Sequence, residues 1–192
     1  MKRAFALAAV LLGITCHSAA AQAVATQPIR WEVAAGGNGH WYAFVSDPGV
    51  TWTASEAAAE ASGGYLATIT SAAENAFVGA IWQAHLGPSA WIGGYQTPPT
   101  SEVDFTANWH WITGEPWGYT NWHAGEPNNF GGIQEDKLQF SYFSTLWNDS
   151  ADVANYGGNS MAGYLVEWND AATFVSVMTY PETAPSMQTC LN

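Results

Sequence analysis

Residues 94–135 carry no sustained hydrophobic period, yet the chain on either side of them does. The stretch is rich in Gly, Pro, Asn, Thr and Trp. An irregular segment of this length inside a compact domain is uncommon, and where it occurs it is usually functional. Before it, residues 31–46 alternate and carry Trp31, Trp41, Tyr42 and Phe44, which predicts strand broken by a turn at Gly36-Gly37-Asn38-Gly39. Thr53-Ala54-Ser55-Glu56 matches a capping box and opens a short Ala-rich helix that stops at Gly63-Gly64. Tyr65 to Ile69 reads as a strand. Ser71-Ala72-Ala73-Glu74 is a second capping box; Phe77, Val78, Ile81, Trp82 and His85 follow at helical spacing until Gly87-Pro88. Ala90-Trp91-Ile92-Gly93 predicts a strand. Beyond the irregular stretch, Leu138, Phe140 and Tyr142 alternate with Gln139 and Ser141, and Tyr164-Leu165-Val166-Glu167-Trp168 predicts a further strand. The order is an α+β pattern with little to suggest a parallel sheet.

A chain of 192 residues suggests one domain. With 48% hydrophobic residues and only 10% charged ones, disorder and coiled coil are excluded. Residues 1–23 read as a secretory signal: Lys2 and Arg3, an apolar centre from Ala4 to Ile14, and a small-x-small site at Ala21-Gln22-Ala23. The apolar run is too short to span a bilayer, and Cys16 lies in a poor lipoprotein context. The expected localisation is therefore secreted, extracellular or periplasmic, with no membrane span. Cleavage leaves Cys190 as the lone cysteine, so no intrachain disulfide is expected. It also leaves Arg30 and Lys137 against 16 acidic residues. Nucleic acid and anionic lipid are poor partners for such a chain, and metal cations are plausible ones.

The oxygen-bearing side chains concentrate in one region. Gly125-Glu126-Pro127-Asn128-Asn129 is followed by Glu135-Asp136 and then by Trp147-Asn148-Asp149. Carboxylates and amides without His or Cys suit a hard cation, and calcium tolerates irregular loops better than magnesium does. Asn and Asp also serve as turn-formers in solvated loops, so composition alone leaves both readings open.

Seven landmarks fall in one order: Trp52 with the Ala-rich helix, Gly64-Tyr65-Leu66-Ala67-Thr68-Ile69, Glu74-Asn75-Ala76-Phe77, Trp91-Ile92-Gly93-Gly94, Gly125-Glu126-Pro127-Asn128, Trp147-Asn148-Asp149 and Tyr164-Leu165-Val166-Glu167. Together they resemble the C-type lectin-like domain over roughly residues 38–168. The resemblance implies a C-type lectin-like fold, two helices flanking small antiparallel sheets with a long calcium-binding loop, over residues 38–170. Residues 24–37 then form a lead-in and 171–192 a tail. It implies Ca2+ as cofactor and glycans as partners, with Glu126, Asn128, Glu135, Asn148 and Asp149 as both metal and sugar ligands. A cis bond is expected at Glu126-Pro127, and the Glu-Pro-Asn order implies mannose-type sugars, those with equatorial 3- and 4-hydroxyls. Glu74 and Glu167 form a candidate auxiliary metal site. The family's paired cysteines are missing; Lys137 and Val166 stand where two of them commonly sit.

Trp91, Trp147 and Trp168 are expected in the core, whereas Trp117, Tyr119 and Trp122 are candidates for stacking on a sugar ring. Zinc is not expected at His110 or His123, which lack metal-ligand spacing. One alternative is a lectin-like domain that binds a protein or surface ligand without sugar. Another is a hydrolase using Glu115 and Glu126 as acid and base. No Ser-His-Asp or Cys-His arrangement is recognisable, and the chain is read as not an enzyme. A single site of this kind binds monosaccharides weakly, so self-association would supply avidity.

Overall fold

A computed structural model describes residues 23–85, 87–97, 105–141, 143–153, 155–156 and 159–170. Cys16, Cys190, the tail at 171–192 and all of the leader but its last residue lie outside the described residues. Ten strands and two helices follow in chain order: β1 (Val24–Ala25), β2 (Ile29–Arg30), β3 (Trp41–Ser46), α1 (Trp52–Ala61), β4 (Tyr65–Leu66), α2 (Ala72–Gln83), β5 (Ser89–Gln96), β6 (Trp109–Trp111), β7 (Lys137–Phe140), β8 (Trp147–Ser150), β9 (Asn155–Tyr156) and β10 (Asn159–Trp168). The main sheet runs β1-β3-β10-β5-β7-β8; β2 also pairs with β3, β4 and β9 with β10, and β6 with β5. The fold is α+β, as the element order predicts.

One pairing departs from the antiparallel expectation: β10 lies antiparallel to β3 but parallel to β5. A strand inserted between two neighbours that run opposite ways must be parallel to one of them. No local sequence pattern carries that information.

Strand periodicity divides the core into two layers. On β3, Tyr42 and Phe44 point to the α2 side, while Ala43 and Val45 point to the α1 side. On β10, Leu165 joins the first layer; Tyr164, Val166 and Trp168 join the second. The α2 layer also holds Val78, Ile81, Trp82, Trp109, Trp111 and Trp147, all buried. Trp91, Trp147 and Trp168 are buried as expected.

Indole N–H groups pin α1 to the sheet. Trp52 donates to the Ile92 carbonyl at 2.9 Å, Trp91 to Val50 at 2.9 Å, and Trp168 to Ser62 at 3.0 Å. Lys137, at the position expected for a cysteine, places its ammonium 4.8 Å from the centre of a Trp52 ring.

The start of α1 corrects the first capping box. Thr51, not Thr53, is the N-cap, and its hydroxyl accepts from the Ala54 N–H. Thr53 is taken by a distant partner: its N–H and hydroxyl both donate to the Asp152 carboxylate. Ser71 caps α2 as predicted, accepting from the Glu74 N–H at 3.2 Å. The Glu74 carboxylate, however, reaches back to Thr70 rather than to Ser71.

Gly93 lies where β5 crosses β4, and a Cβ there would collide with the Leu66 carbonyl oxygen. Both groups are backbone, so neither can swing aside. Overpacking of this kind costs about 1–3 kcal/mol. Gly93→Ala is expected to lower the thermal midpoint by roughly 2–10 °C, read by circular dichroism.

Candidate functional site

The site is built on β8. This strand pairs with β7 in the register Leu138↔Asp149 and Gln139↔Asn148, so Asn148 and Asp149 sit on a rigid hairpin. Both are buried, Asp149 at 1% exposure. Two parts of the irregular segment hang from the same strand. Trp147 donates its backbone N–H to Asn121 and accepts from His123 at its carbonyl, both at 2.8 Å, so residues 121–123 run along the β8 edge. Further on, the Asp149 carboxylate accepts from the N–H groups of Asn128 and Asn129 at 2.9–3.1 Å.

Between these two anchors the chain turns at Gly125, in left-handed backbone, and passes through a cis Glu126-Pro127 bond, as the resemblance predicted. Beyond them the loop closes on itself. Asn129 takes a left-handed conformation, and its side-chain oxygen accepts from the Glu135 N–H at 2.9 Å. The Glu135 carboxylate accepts from the Phe130 N–H at 2.5 Å. Glu135 is buried, whereas the next residue, Asp136, faces Lys137 at 3.5 Å.

Three carboxyls thereby share one low-dielectric region. Burial, and then the neighbouring Asp149 charge, pushes Glu126 up to about 7. Burial pushes Glu135 up to about 7 as well, against the Phe130 N–H that favours its charged form. Asp149 is raised by burial and held back by its backbone N–H bonds. Asp149 has backbone donors that favour its charged form, whereas the Asp149 charge and its hydrogen bond both raise Glu126. Neither basic side chain among the described residues relieves the repulsion: Arg30 pairs with Glu32, and Lys137 with Asp136.

Two oxygens complete the picture. Glu126 Oε2 and Asn128 Oδ1 are buried without a hydrogen-bond partner. Buried acceptors are nearly always satisfied, so two together beside an acidic residue call for a ligand. The donor set is all oxygen, which fits calcium. Among the described residues, no three His, Cys, Asp or Glu side chains close into a metal cluster. The carboxylates have turned to backbone N–H groups instead, and the Asn148 amide donates to the Asp149 carbonyl. Glu126, Asn128, Glu135 and Asp149 are thus brought together, while Asn148 lies beside them with its amide N–H₂ engaged.

Other expectations sort out differently. Trp117, Tyr119 and Trp122 pack against the core. The Trp117 ring lies 4.7 Å from Trp111, and Tyr119 and Trp122 meet Trp147 edge-on at 5.5 and 5.9 Å. Glu115 and Glu126 occupy separate clusters: Glu115 bonds Thr113 and acts electrostatically on His40, whereas Glu126 acts with Asp149. An acid–base pair of these two has no geometric support. Glu74 and Glu167 do meet, through Tyr42, at the α2 side of the sheet. Sequence reasoning missed their partners Asn38 and His40; the two-residue spacing of Asn38, His40 and Tyr42 is the signal that points to them.

The family described as the Lectin C-type domain matches residues 49–152, more than half of the chain. Halomucin of Haloquadratum walsbyi is 29% identical over 154 residues, covering 71% of this chain and 2% of halomucin. Lectin BRA-3 of Megabalanus rosa is 28% identical over 114 residues, covering 58% of this chain and 64% of BRA-3. This chain therefore spans less than two thirds of either relative. The crystal structure of the C-type lectin CEL-I from Cucumaria echinata aligns with a TM-score of 0.53 at 26% identity, covering 67% of this chain and 89% of CEL-I. With the sheet order, the cis Glu126-Pro127 turn and the β8 anchor in the same chain, the match settles its kinship: the chain belongs to the C-type lectin domain family.

Proposed function

We propose that the domain binds carbohydrate in a calcium-dependent manner, with mannose-type sugars as the ligand class. Glu126, Asn128, Glu135, Asn148 and Asp149 are assigned to both the cation and the sugar. The observation that carries this reading is the pair of buried, unpartnered acceptors at Glu126 and Asn128. Left unsatisfied, such groups cost stability; a hard cation satisfies both. When bound, calcium supplies coordination to two vicinal sugar hydroxyls. The protein's own side chains then orient those hydroxyls: Glu126 only accepts, whereas the Asn128 amide also donates. Relatives named as lectins support carbohydrate as the ligand class. The leader at residues 1–23 supports export to an extracellular or periplasmic setting. No described helix is long and apolar enough to cross a membrane. Self-association is the proposed source of avidity.

The double exchange Glu126→Gln with Asn128→Asp tests the reading. It keeps one carboxylate and one amide but reverses the acceptor–donor order. Calcium affinity is expected within about tenfold of the parent, because the charge is preserved. Mannose binding is expected to fall about a hundredfold, since mismatched polar groups cost roughly 1–3 kcal/mol each. Isothermal titration with calcium and then mannose separates the two effects. Mannose binding that survives in the double variant, or in chelator, moves the function to a ligand surface elsewhere on the domain.

The raised carboxyls set a pH dependence. A carboxyl lifted from 4.5 to about 7 by folding keeps its proton where the unfolded chain has lost it. Cation-free stability is therefore greatest below the lower value and declines as pH rises through about 7. Calcium affinity changes in the opposite sense, rising as the competing protons leave. Titrations at about pH 5.5, 6.5 and 7.5 are expected to show affinity climbing, by up to about tenfold per unit for each proton displaced below pH 7 and less steeply above it. An affinity that is flat across this range would mean the cation does not meet Glu126 and Glu135.

A further inference from the structure

The chain holds a second cluster of buried carboxyls, and its oxygens, unlike Glu126 Oε2, all have partners within the protein. Glu74, from the first turn of α2, is 3% exposed, and Glu167, from β10, is 1% exposed. Every carboxylate oxygen of this pair has a protein donor. Glu74 Oε1 accepts from the Tyr42 hydroxyl at 2.7 Å and from the Asn38 amide at 3.0 Å. Glu74 Oε2 accepts from the Thr70 N–H at 2.7 Å and its hydroxyl at 2.9 Å. Glu167 Oε1 meets the His40 Nδ1 at 2.6 Å and the Tyr42 hydroxyl at 3.0 Å, and Glu167 Oε2 accepts from the Thr68 N–H at 2.9 Å. None of the four oxygens is orphaned, unlike those at Glu126 and Asn128.

A divalent cation here would have to displace donors that already lie at good distances. Glu167 raises His40 above its ordinary value, which favours the imidazolium, and Glu74 and Glu115 act in the same direction. The single Tyr42 proton is shared between the two carboxylates, and the Asn38 amide donates to the Tyr42 oxygen at 2.7 Å. The hydroxyl thus links α2 to β10 through β3.

We infer that Glu74 and Glu167 form a cation-free clasp, in which His40, Tyr42 and Asn38 take the place of an auxiliary metal and dock α2 on the sheet without calcium. The donor set does not fit a metal, because each acceptor is spent on the protein's own groups. Docking of α2 is then separate from calcium binding in the long loop.

The test counts ions. Calcium is titrated into the whole folded chain and into two variants, Glu74→Gln and Asp149→Asn, by equilibrium dialysis. One ion in the parent and in Glu74→Gln, with none in Asp149→Asn, is the expected result. No ion in any of the three leaves the clasp standing and rejects the calcium reading of the long loop, so the two failures are distinguishable. A second ion in the parent, or one ion in Asp149→Asn, overturns the clasp. His40→Ala gives a separate readout. Loss of a charge-assisted bond to a buried carboxylate is expected to lower the thermal midpoint in chelator by at least about 3 °C. An unchanged midpoint would also overturn the clasp.

Discussion

Trp147 is the residue through which core and site are one object. Its ring is fully buried among Trp111, Trp117, Tyr119 and Trp122. Its indole N–H donates to the Asn75 side chain of α2 at 2.8 Å, and its backbone carries residues 121–123. The next two residues are Asn148 and Asp149. Any movement of those side chains therefore has to disturb an aromatic cluster packed at interior density, where displacement costs contact on every side. The Thr145 carbonyl tightens the same knot, accepting amide N–H groups from both Asn75 and Asn121. A domain without paired cysteines in its body packs its loop this way, on a cluster of indoles in which Trp147 has its N–H satisfied and Trp111 does not.

The two acidic clusters show how one residue type takes opposite roles. Glu74 and Glu167 sit among hydroxyl, amide, imidazole and backbone donors, so each of their oxygens has a partner within the protein. Glu126, Glu135 and Asp149 share only three backbone donors, from residues 128–130, and face one another. Burial of charge without compensation shifts the protonation equilibrium instead. Burial raises Glu167 as well, against the His40 and Thr68 hydrogen bonds that favour its charged form.

Much of this was legible in the sequence, and the failures have physical causes. Both helices, β5 and β10 follow from hydrophobic spacing and caps, because those signals are local. The Glu-Pro-Asn and Trp-Asn-Asp triplets, which the resemblance made interpretable, named the candidate residues that the fold brings near one another. The start of α1 was misplaced by two residues because Asp152, 99 positions away, claims Thr53. The parallel β5–β10 pairing and the Asn38–His40 contacts are equally non-local. Strand β6 was missed because Trp109-His110-Trp111 is too short to reveal a period, although its alternation of buried, exposed and buried residues is that of a strand.

That missed strand changes the meaning of the irregular segment. Read as sequence, residues 94–135 form one long functional loop. In the fold, Gln96 and Trp109 pair across β5 and β6, Trp109 and Trp111 are buried, and Trp117, Tyr119 and Trp122 pack on them. In the described part of the segment up to residue 123, Trp109 and Trp111 thus belong to the core, and the partly buried Trp117, Tyr119 and Trp122 lean on it. What remains for ligand is the shorter arc from Gly125 to Glu135, fixed at one end by the β8 edge and at the other by Asn129 and Glu135. The proposed recognition by so short an arc rests on a few polar atoms, with the loop aromatics partly engaged by the core. The proposed specificity is accordingly placed on Glu126 and Asn128, whose side-chain oxygens are buried without a hydrogen-bond partner, rather than on the tryptophans.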